Sequence, residues 1–107
     1  MTFDVIIVGA GMSGTFMSSL LREKRKNVLI LEKSSGIGGR MSTKPIESQI
    51  VDYGCQYINP KTAISVHLSN KLENFGLLSE FSLETNKKVF IAPFGMNKIP
   101  QYFSRNT

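Results

Sequence analysis

The sequence contains one cysteine and one histidine, and it has no long hydrophobic run. One cysteine cannot form an intramolecular disulfide, which suits a reducing compartment. The first residues after Met1 carry no cationic stretch, and the apolar run that follows is too short for a signal peptide or a membrane span. We therefore expect a cytoplasmic protein that does not act at a membrane.

Internal repeats, low-complexity segments and a linker between two domains are also lacking. The 107 residues can build one small core. The net charge of +5 reflects 13 Lys and Arg against 8 Asp and Glu, with a cluster at Arg22 and Lys24–Lys26. Because no aromatic side chains are interleaved with these cations, we interpret them as a solvated face at the C-terminal turn of the first helix, not as a nucleic-acid patch.

The lone cysteine and the lone histidine do not indicate a catalytic pair. Cys55 is typical of a small core residue, since the one histidine that could activate it, His67, lies on another predicted element. A histidine beside an apolar helix face is usually structural or solvated. We assign no catalytic residue and predict no metal site.

A glycine-rich hexapeptide begins at Gly9, directly after the apolar run Val5–Val8. Gly9 allows a sharp turn, Gly11 lets the backbone approach a pyrophosphate, and Gly14 lets the following helix lie close to the strand. The helix N-terminus then favours a negatively charged ligand, and Ser13 adds a donor there. The pattern predicts a β-α-β dinucleotide-binding unit. A tight turn without a ligand is the alternative.

An acidic residue follows at the spacing that such a unit requires. Glu32 ends the apolar run Val28–Leu31 and lies 18 residues after Gly14. A right-handed crossover would bring its carboxylate beside the end of the first strand, where it can accept hydrogen bonds from a ribose. A carboxylate there repels a 2′-phosphate, which favours FAD or NAD over NADP, although Lys33 works against this preference.

A second glycine pair, Gly38 and Gly39, precedes Arg40. The glycines free the backbone, and the arginine fork suits phosphate oxygens. A flexible loop with a solvated arginine is the alternative. The spacing after Glu32 resembles the second phosphate-binding motif of the amine-oxidase-like FAD proteins. Since a nicotinamide dehydrogenase has no general need for this loop, it favours FAD.

The resemblance extends over nearly the whole chain. The segments Gly39–Thr43, Asp52–Ile58 and Phe90–Met96 follow one another as the corresponding segments do in the renalase-like branch of the flavin amine oxidase superfamily. The sequence departs from the family pattern at Ser13, where threonine is common, and at Cys55, where alanine is common.

The resemblance implies a two-domain fold with non-covalent FAD and a small reduced substrate, either dihydronicotinamide-like or an amine, with oxygen commonly reoxidising the flavin. It also implies that Ser13 and Arg40 contact the FAD phosphates and that Gln56 and Tyr57 lie near the flavin. The candidate cofactor-binding residues are therefore Gly9, Gly11, Ser13, Gly14, Glu32, Lys33, Gly39, Arg40, Gln56 and Tyr57.

We predict an α/β fold: a Rossmann-type FAD-binding β-α-β unit with an added helix and β-hairpin. Residues 1–58 would form the dinucleotide-binding core and flavin-proximal motif, and 59–107 a helix, a hairpin and the start of a further helix. The remaining predicted elements are a strand at Gln49–Val51, a helix capped by Asn59 with Pro60 at its first position and ending at Gly76, strands at Leu77–Leu83 and Val89–Ala92 around the turn Glu84–Lys88, and a helix from Asn97.

Three functions are compatible with these patterns. The first is an FAD-dependent oxidoreductase in which hydride passes from a small substrate to the flavin. The second is a non-catalytic truncated fragment or nucleotide-binding module, because relatives complete the FAD site with a glycine-rich segment near the C-terminus of a longer chain. The third, an NAD-dependent Rossmann dehydrogenase, leaves the Arg40 loop unused. On this basis we expect the N-terminal part of a larger flavoprotein, of unassigned substrate and oligomeric state.

Overall fold

The computed structural model describes residues 2–34, 36–52, 54–82 and 88–105. Ser35, Tyr53 and the greater part of the predicted turn after Ser82 lie outside these ranges. In the described part of the chain, no helix is long and apolar enough to cross a bilayer.

The first fifty residues contain a parallel β-α-β unit. Strands β1 (Val5–Val8) and β2 (Val28–Leu31) pair in parallel, with Val5 opposite Val28. Helix α1 (Met12–Glu23) connects them and buries Thr15 and Ser18 completely. β-Branched side chains favour the two strands, and the small buried residues let the helix pack closely. This arrangement confirms the predicted α/β class.

Helix α1 ends in a Schellman motif without a glycine. The N–H of Lys26 donates to the carbonyl of Leu21 over 3.1 Å, and the N–H of Arg25 donates to that of Arg22 over 2.9 Å. Arg25 adopts the left-handed conformation that this motif requires, with φ at +60°. A side chain with a Cβ is disfavoured in that conformation.

Replacing Arg25 with glycine should therefore stabilise the protein. We expect a gain of about 0.5–1 kcal/mol in the free energy of unfolding, because the relief of backbone strain exceeds the extra chain entropy of glycine. Urea denaturation followed by circular dichroism measures the change. Lys24→Gly is the control, since Lys24 has a negative φ and gains no relief. A variant Arg25→Gly less stable than the parent would contradict this account.

The basic cluster is only partly solvated. Lys24, Arg25 and Lys26 are exposed as predicted, but the interpretation was wrong for Arg22. Its Nη2 donates to the carbonyl of Phe103 over 2.7 Å. The reason is that helix α3 (Lys98–Phe103) packs against α1, with the ring of Phe103 edge-on to Phe16 at 5.0 Å.

Two antiparallel hairpins follow the β-α-β unit. Strands β3 (Thr43–Ile46) and β4 (Gln49–Asp52) form the first, and β5 (Ser79–Ser82) and β6 (Lys88–Ile91) form the second. The second hairpin and β4 confirm the prediction, except that Lys88, predicted in the turn, is the first residue of β6. Strand β3 was not predicted. Strand β5 begins two residues later than expected because Leu77 still donates to the carbonyl at the end of the preceding helix.

Helix α2 (Ala63–Asn74) begins later than predicted. Its N-cap is Thr62, not Asn59, and Pro60 does not occupy its first position. Thr62 and Ser65 form a reciprocal capping box, in which the Thr62 hydroxyl accepts from the Ser65 N–H over 3.1 Å and the Ser65 hydroxyl accepts from the Thr62 N–H over 3.0 Å. This pair satisfies two backbone donors at once, which outweighs the local preference of an Asn-Pro start.

The ends of the two later helices agree with the sequence. Gly76, with φ at +79°, follows α2 and donates to the carbonyl of Glu73, as expected of a helix stop. Helix α3 follows Asn97 directly, which confirms its predicted start. His67 lies exposed on α2.

The hydrophobic core lies between the three helices and the second hairpin. Ile58 and Phe90 exchange two backbone hydrogen bonds of 2.8 Å, which tie the segment after β4 to β6. Cys55 is half-buried against this core, in agreement with its interpretation as a packing residue. The buried cluster consists of Leu72, Leu78, Phe90, Ala92, Met96, Ile99 and Phe103.

Candidate nucleotide-binding cleft

The turn between β1 and α1 has the backbone geometry that its glycines predict. Gly9 has φ at +104°, and its N–H donates to the carbonyl of Leu31 over 2.7 Å. A Cβ on Gly14 would collide with the carbonyl oxygen of Gly9, so the helix can lie this close to the turn only with glycine there. Gly11 is the N-cap, and no described side chain caps α1. Its first N–H groups therefore remain available to an anion.

The carboxylate of Glu32 lies at the end of β1, where the sequence placed it. Its Oε1 accepts from the N–H of Ala10 over 2.7 Å. Its Oε2 accepts from both the N–H and the hydroxyl of Ser34, each over 2.9 Å. These hydrogen bonds, that of Ala10 foremost, lower the pKa of Glu32 from 4.5 to about 2. The group is therefore an oriented anion at all physiological pH values.

A titration of Glu32 should show this environment directly. The folded-state pKa lies below the unfolded value, so this carboxylate stabilises the fold above pH 4.5 and its contribution is lost as the pH falls towards 2. We expect a midpoint of about 2 for the Glu32 side-chain carbon in an NMR titration. Ser34→Ala should raise that midpoint by removing one donor, while Ser48→Ala, in the exposed turn of the first hairpin, should not. A midpoint near 4.5 in the parent would contradict the hydrogen-bond geometry.

The second glycine loop lies directly beside the first. The N–H of Gly38 donates to the carbonyl of Ala10 over 3.0 Å, and Gly11 and Gly38 form a parallel bridge. Gly39 opens a 3₁₀ turn over Gly39–Met41, and a Cβ on it would approach the Cα of Gly11 to 3.3 Å. Glycine at both positions therefore permits the two loops to touch.

The other side of this turn contacts the segment after β4. The carbonyl of Arg40 accepts from the N–H of Cys55 over 2.8 Å. Gly54 approaches the same carbonyl so closely that a Cβ there would collide with it. The guanidinium of Arg40 is exposed and makes no hydrogen bond to the described residues. The turn is thus fixed through its backbone and not through its charged side chain.

The two glycine loops enclose a cleft of about 670 Å³. Six of the predicted cofactor-binding residues meet in its wall, where Met12, Met41 and Cys55 join them. Burial raises the pKa of the Cys55 thiol, which keeps it protonated at neutral pH. The predicted residues in the wall are Gly9, Gly11, Ser13, Gly14, Gly39 and Arg40.

The other predicted residues lie elsewhere. Glu32 and Lys33 line an adjoining groove of about 500 Å³ that shares Gly39 with the cleft. Gln56 and Tyr57 are exposed and line neither cavity. The sequence analysis named Gln56 and Tyr57 as cofactor-binding residues, whereas the structure places the neighbouring Cys55 in the wall of the cleft.

A parallel β-α-β unit with two glycine loops and an acidic strand end around one cleft defines a Rossmann-type nucleotide-binding domain. Residues 7–72 match the family model described as the NAD(P)-binding Rossmann-like domain, and the chain belongs to this family. The curated and solved proteins to which the chain is similar include flavin-containing amine oxidases and putrescine oxidase.

Two curated relatives illustrate the extent of the sequence similarity. The chain is 38% identical over 73 residues to the flavin-containing amine oxidase A of Bos taurus, covering 65% of this chain and 14% of the relative. It is 30% identical over 98 residues to putrescine oxidase of Kocuria rosea, covering 86% of this chain and 19% of the relative. The chain therefore spans a fifth or less of the length of these relatives.

Two solved structures share the fold. Putrescine oxidase bound to putrescine superposes with a TM-score of 0.61 at 26% identity, over 86% of this chain and 22% of that one. Cyclohexylamine oxidase from Brevibacterium oxydans superposes with a TM-score of 0.62 at 30% identity, over 77% of this chain and 18% of the oxidase chain. The likeness thus covers most of this chain and a small share of each oxidase.

Proposed function

We propose that this chain forms the ribose- and pyrophosphate-binding part of an FAD site in an oxidoreductase of the amine-oxidase type. The observation that carries the proposal is the pairing of the two glycine loops through Gly11 and Gly38 at the start of α1. A single loop suffices for a nicotinamide dinucleotide, so the second loop with Arg40 favours FAD. The names of the flavin-containing relatives support the same cofactor.

The residues of the cleft fit a dinucleotide. The free N–H groups at the start of α1 and the guanidinium of Arg40 would hold the pyrophosphate, and the Ser13 hydroxyl adds a donor. A Cβ on Gly39 would reduce the gap between the two loops. On Glu32, three hydrogen bonds occupy three of about four acceptor positions, which leaves one on Oε1 for a ribose hydroxyl.

The chain's own residues bind and orient the cofactor. When bound, FAD supplies a hydride acceptor. For the substrate we propose a small reduced molecule. An amine is supported by the names of putrescine and cyclohexylamine oxidases, and a dihydronicotinamide by the renalase-like motifs at Gly39–Thr43, Asp52–Ile58 and Phe90–Met96. A cytoplasmic location is supported by the single cysteine.

Two other functions are outcomes of the same test. NAD binding is favoured by the description of the family model, and a nucleotide-binding module without catalysis is favoured by the small share of each relative that the chain spans. Both use the cleft and Glu32. They differ from the FAD proposal in which dinucleotide binds best and in whether a reduced substrate bleaches the flavin.

A titration of the 107-residue chain with FAD, NAD⁺ and NADP⁺ by isothermal calorimetry tests the proposal. We expect FAD to bind most tightly and NADP⁺ most weakly, since the ionised Glu32 repels its 2′-phosphate. Tighter binding of NAD⁺ than of FAD would favour the dehydrogenase, and absence of FAD binding would overturn the proposal. Anaerobic bleaching of the bound FAD by putrescine or NADH would contradict a binding module without catalysis.

A further inference from the structure

Asp52 connects the core to the turn that presents Arg40. It ends β4 opposite Thr43, the second residue after that turn. Its Oδ1 accepts from the Thr43 hydroxyl over 2.7 Å and from the N–H of Met96 over 2.9 Å. Since Met96 is completely buried in the core, the carboxylate joins the first hairpin to the centre of the molecule.

A second set of contacts extends this connection. The Thr43 hydroxyl accepts from the N–H of Asn97 over 3.1 Å, so one side-chain pair holds two successive N–H groups before α3. Gly95, with φ at +105°, lies against Thr43, and a Cβ on it would approach that side chain to 3.0 Å. The segment before α3 is thus fitted to the Asp52–Thr43 pair.

The Asp52–Thr43 pair lies next to both segments that hold the Arg40 turn in place. Thr43 follows the turn, and the residues after Asp52 return to it, where Gly54 packs on the Arg40 carbonyl and the Cys55 N–H donates to it. Displacing Asp52 would therefore release both sides of the turn. We infer that Asp52 is a positioning residue for the cofactor, which orients the Arg40 turn without contacting the nucleotide. This inference rests on the proposed function of the cleft.

The affinity of the 107-residue chain for FAD tests the inference. Asp52→Ala removes the acceptor of two hydrogen bonds, and we expect FAD binding to weaken by about tenfold or more. Asp52→Asn retains Oδ1 and should restore binding to within about threefold of the parent. Leu78→Ala, which removes a buried core side chain that makes no hydrogen bond to the Asp52–Thr43 pair, is the control for lost stability, and its FAD affinity should stay near that of the parent.

A double-mutant cycle separates positioning from general destabilisation. If Asp52 acts through Arg40, then Asp52→Ala should change FAD affinity by less than about threefold in an Arg40→Ala background. Additive losses would show that Asp52 supports the cleft in another way and would overturn the inference. Should Asp52→Ala fail to fold, Thr43→Val replaces it, with Thr43→Ser as its hydroxyl-retaining control.

Hydrogen exchange gives a readout that needs no cofactor. In the free chain, Asp52→Ala should accelerate exchange of the Cys55 and Met41 amides while the amides of α2 keep parental rates. Unchanged exchange at Cys55 and Met41 would overturn the inference even if FAD binds. If the parent does not bind FAD, the proposed function fails, and the exchange measurement still decides whether Asp52 orders the turn.

Discussion

Gly14→Ala should destabilise this protein strongly although it adds only one methyl group. The added Cβ would collide with the carbonyl oxygen of Gly9 and come within 3.2 Å of the Ile7 side chain. Because the Gly9 carbonyl oxygen belongs to the backbone, no change of side-chain rotamer relieves the collision. Helix α1 must therefore move away from the sheet. We expect a loss of about 3 kcal/mol or more in the free energy of unfolding, a large part of the margin of a small domain.

Urea and thermal denaturation measure this loss, and FAD calorimetry on the variant measures its effect on the cleft. Gly36→Ala is the matched control, since a Cβ there meets nothing within 4 Å and its cost should stay within about 0.5 kcal/mol. Since α1 also presents the N–H groups of the cleft, FAD binding should be lost together with stability. A Gly14→Ala variant with parental stability would show that the helix can shift at little cost.

Arg40→Ala should have the opposite profile, with a large loss of affinity and little loss of stability. Its exposed guanidinium makes no hydrogen bond to the described residues, so the fold does not depend on it. A charge-assisted hydrogen bond to phosphate is worth about 1.5–3 kcal/mol, which corresponds to FAD binding weaker by about 10- to 150-fold. Calorimetry at constant ionic strength measures the change.

Two control variants distinguish the effect of the guanidinium geometry of Arg40 from that of its positive charge. Arg40→Lys keeps the charge but loses the two-pronged donor, and its affinity should fall between parent and alanine variant. Lys24→Ala removes an exposed cation at the opposite end of α1 and should leave FAD affinity close to the parental value. An Arg40→Ala variant that binds FAD as tightly as the parent would show that the loop does not hold phosphate.

The parts of the cleft that could be predicted from sequence are those set by local backbone requirements. Gly9 and Gly14 are needed where a strand turns into a helix within a few residues, and Glu32 follows at the end of the next strand. The spacing alone therefore indicated how these groups meet. The roles of the candidate residues in holding a cofactor stay predictions until binding is measured.

The parts that escaped prediction depend on residues distant in sequence. Asp52 and Met96 are 44 positions apart, and Arg22 and Phe103 are 81 apart, so no local pattern indicates either hydrogen bond. The start of α2 was misplaced for a different reason, since Asn59 and Thr62 are both good caps and only the reciprocal partner at Ser65 decides between them.

The position of the core has a consequence for synthesis on the ribosome. Its buried cluster comes from residues 72–103, whereas the glycine loops and Glu32 lie within the first forty residues. The two glycine loops therefore leave the exit tunnel long before α3, which packs against α1. Until α3 emerges, the ring of Phe16 lacks its contact with Phe103, and Arg22 lacks the Phe103 carbonyl to which it donates. Nascent chains of this protein consequently expose an apolar helix face during translation, and that interval is when a chaperone would act.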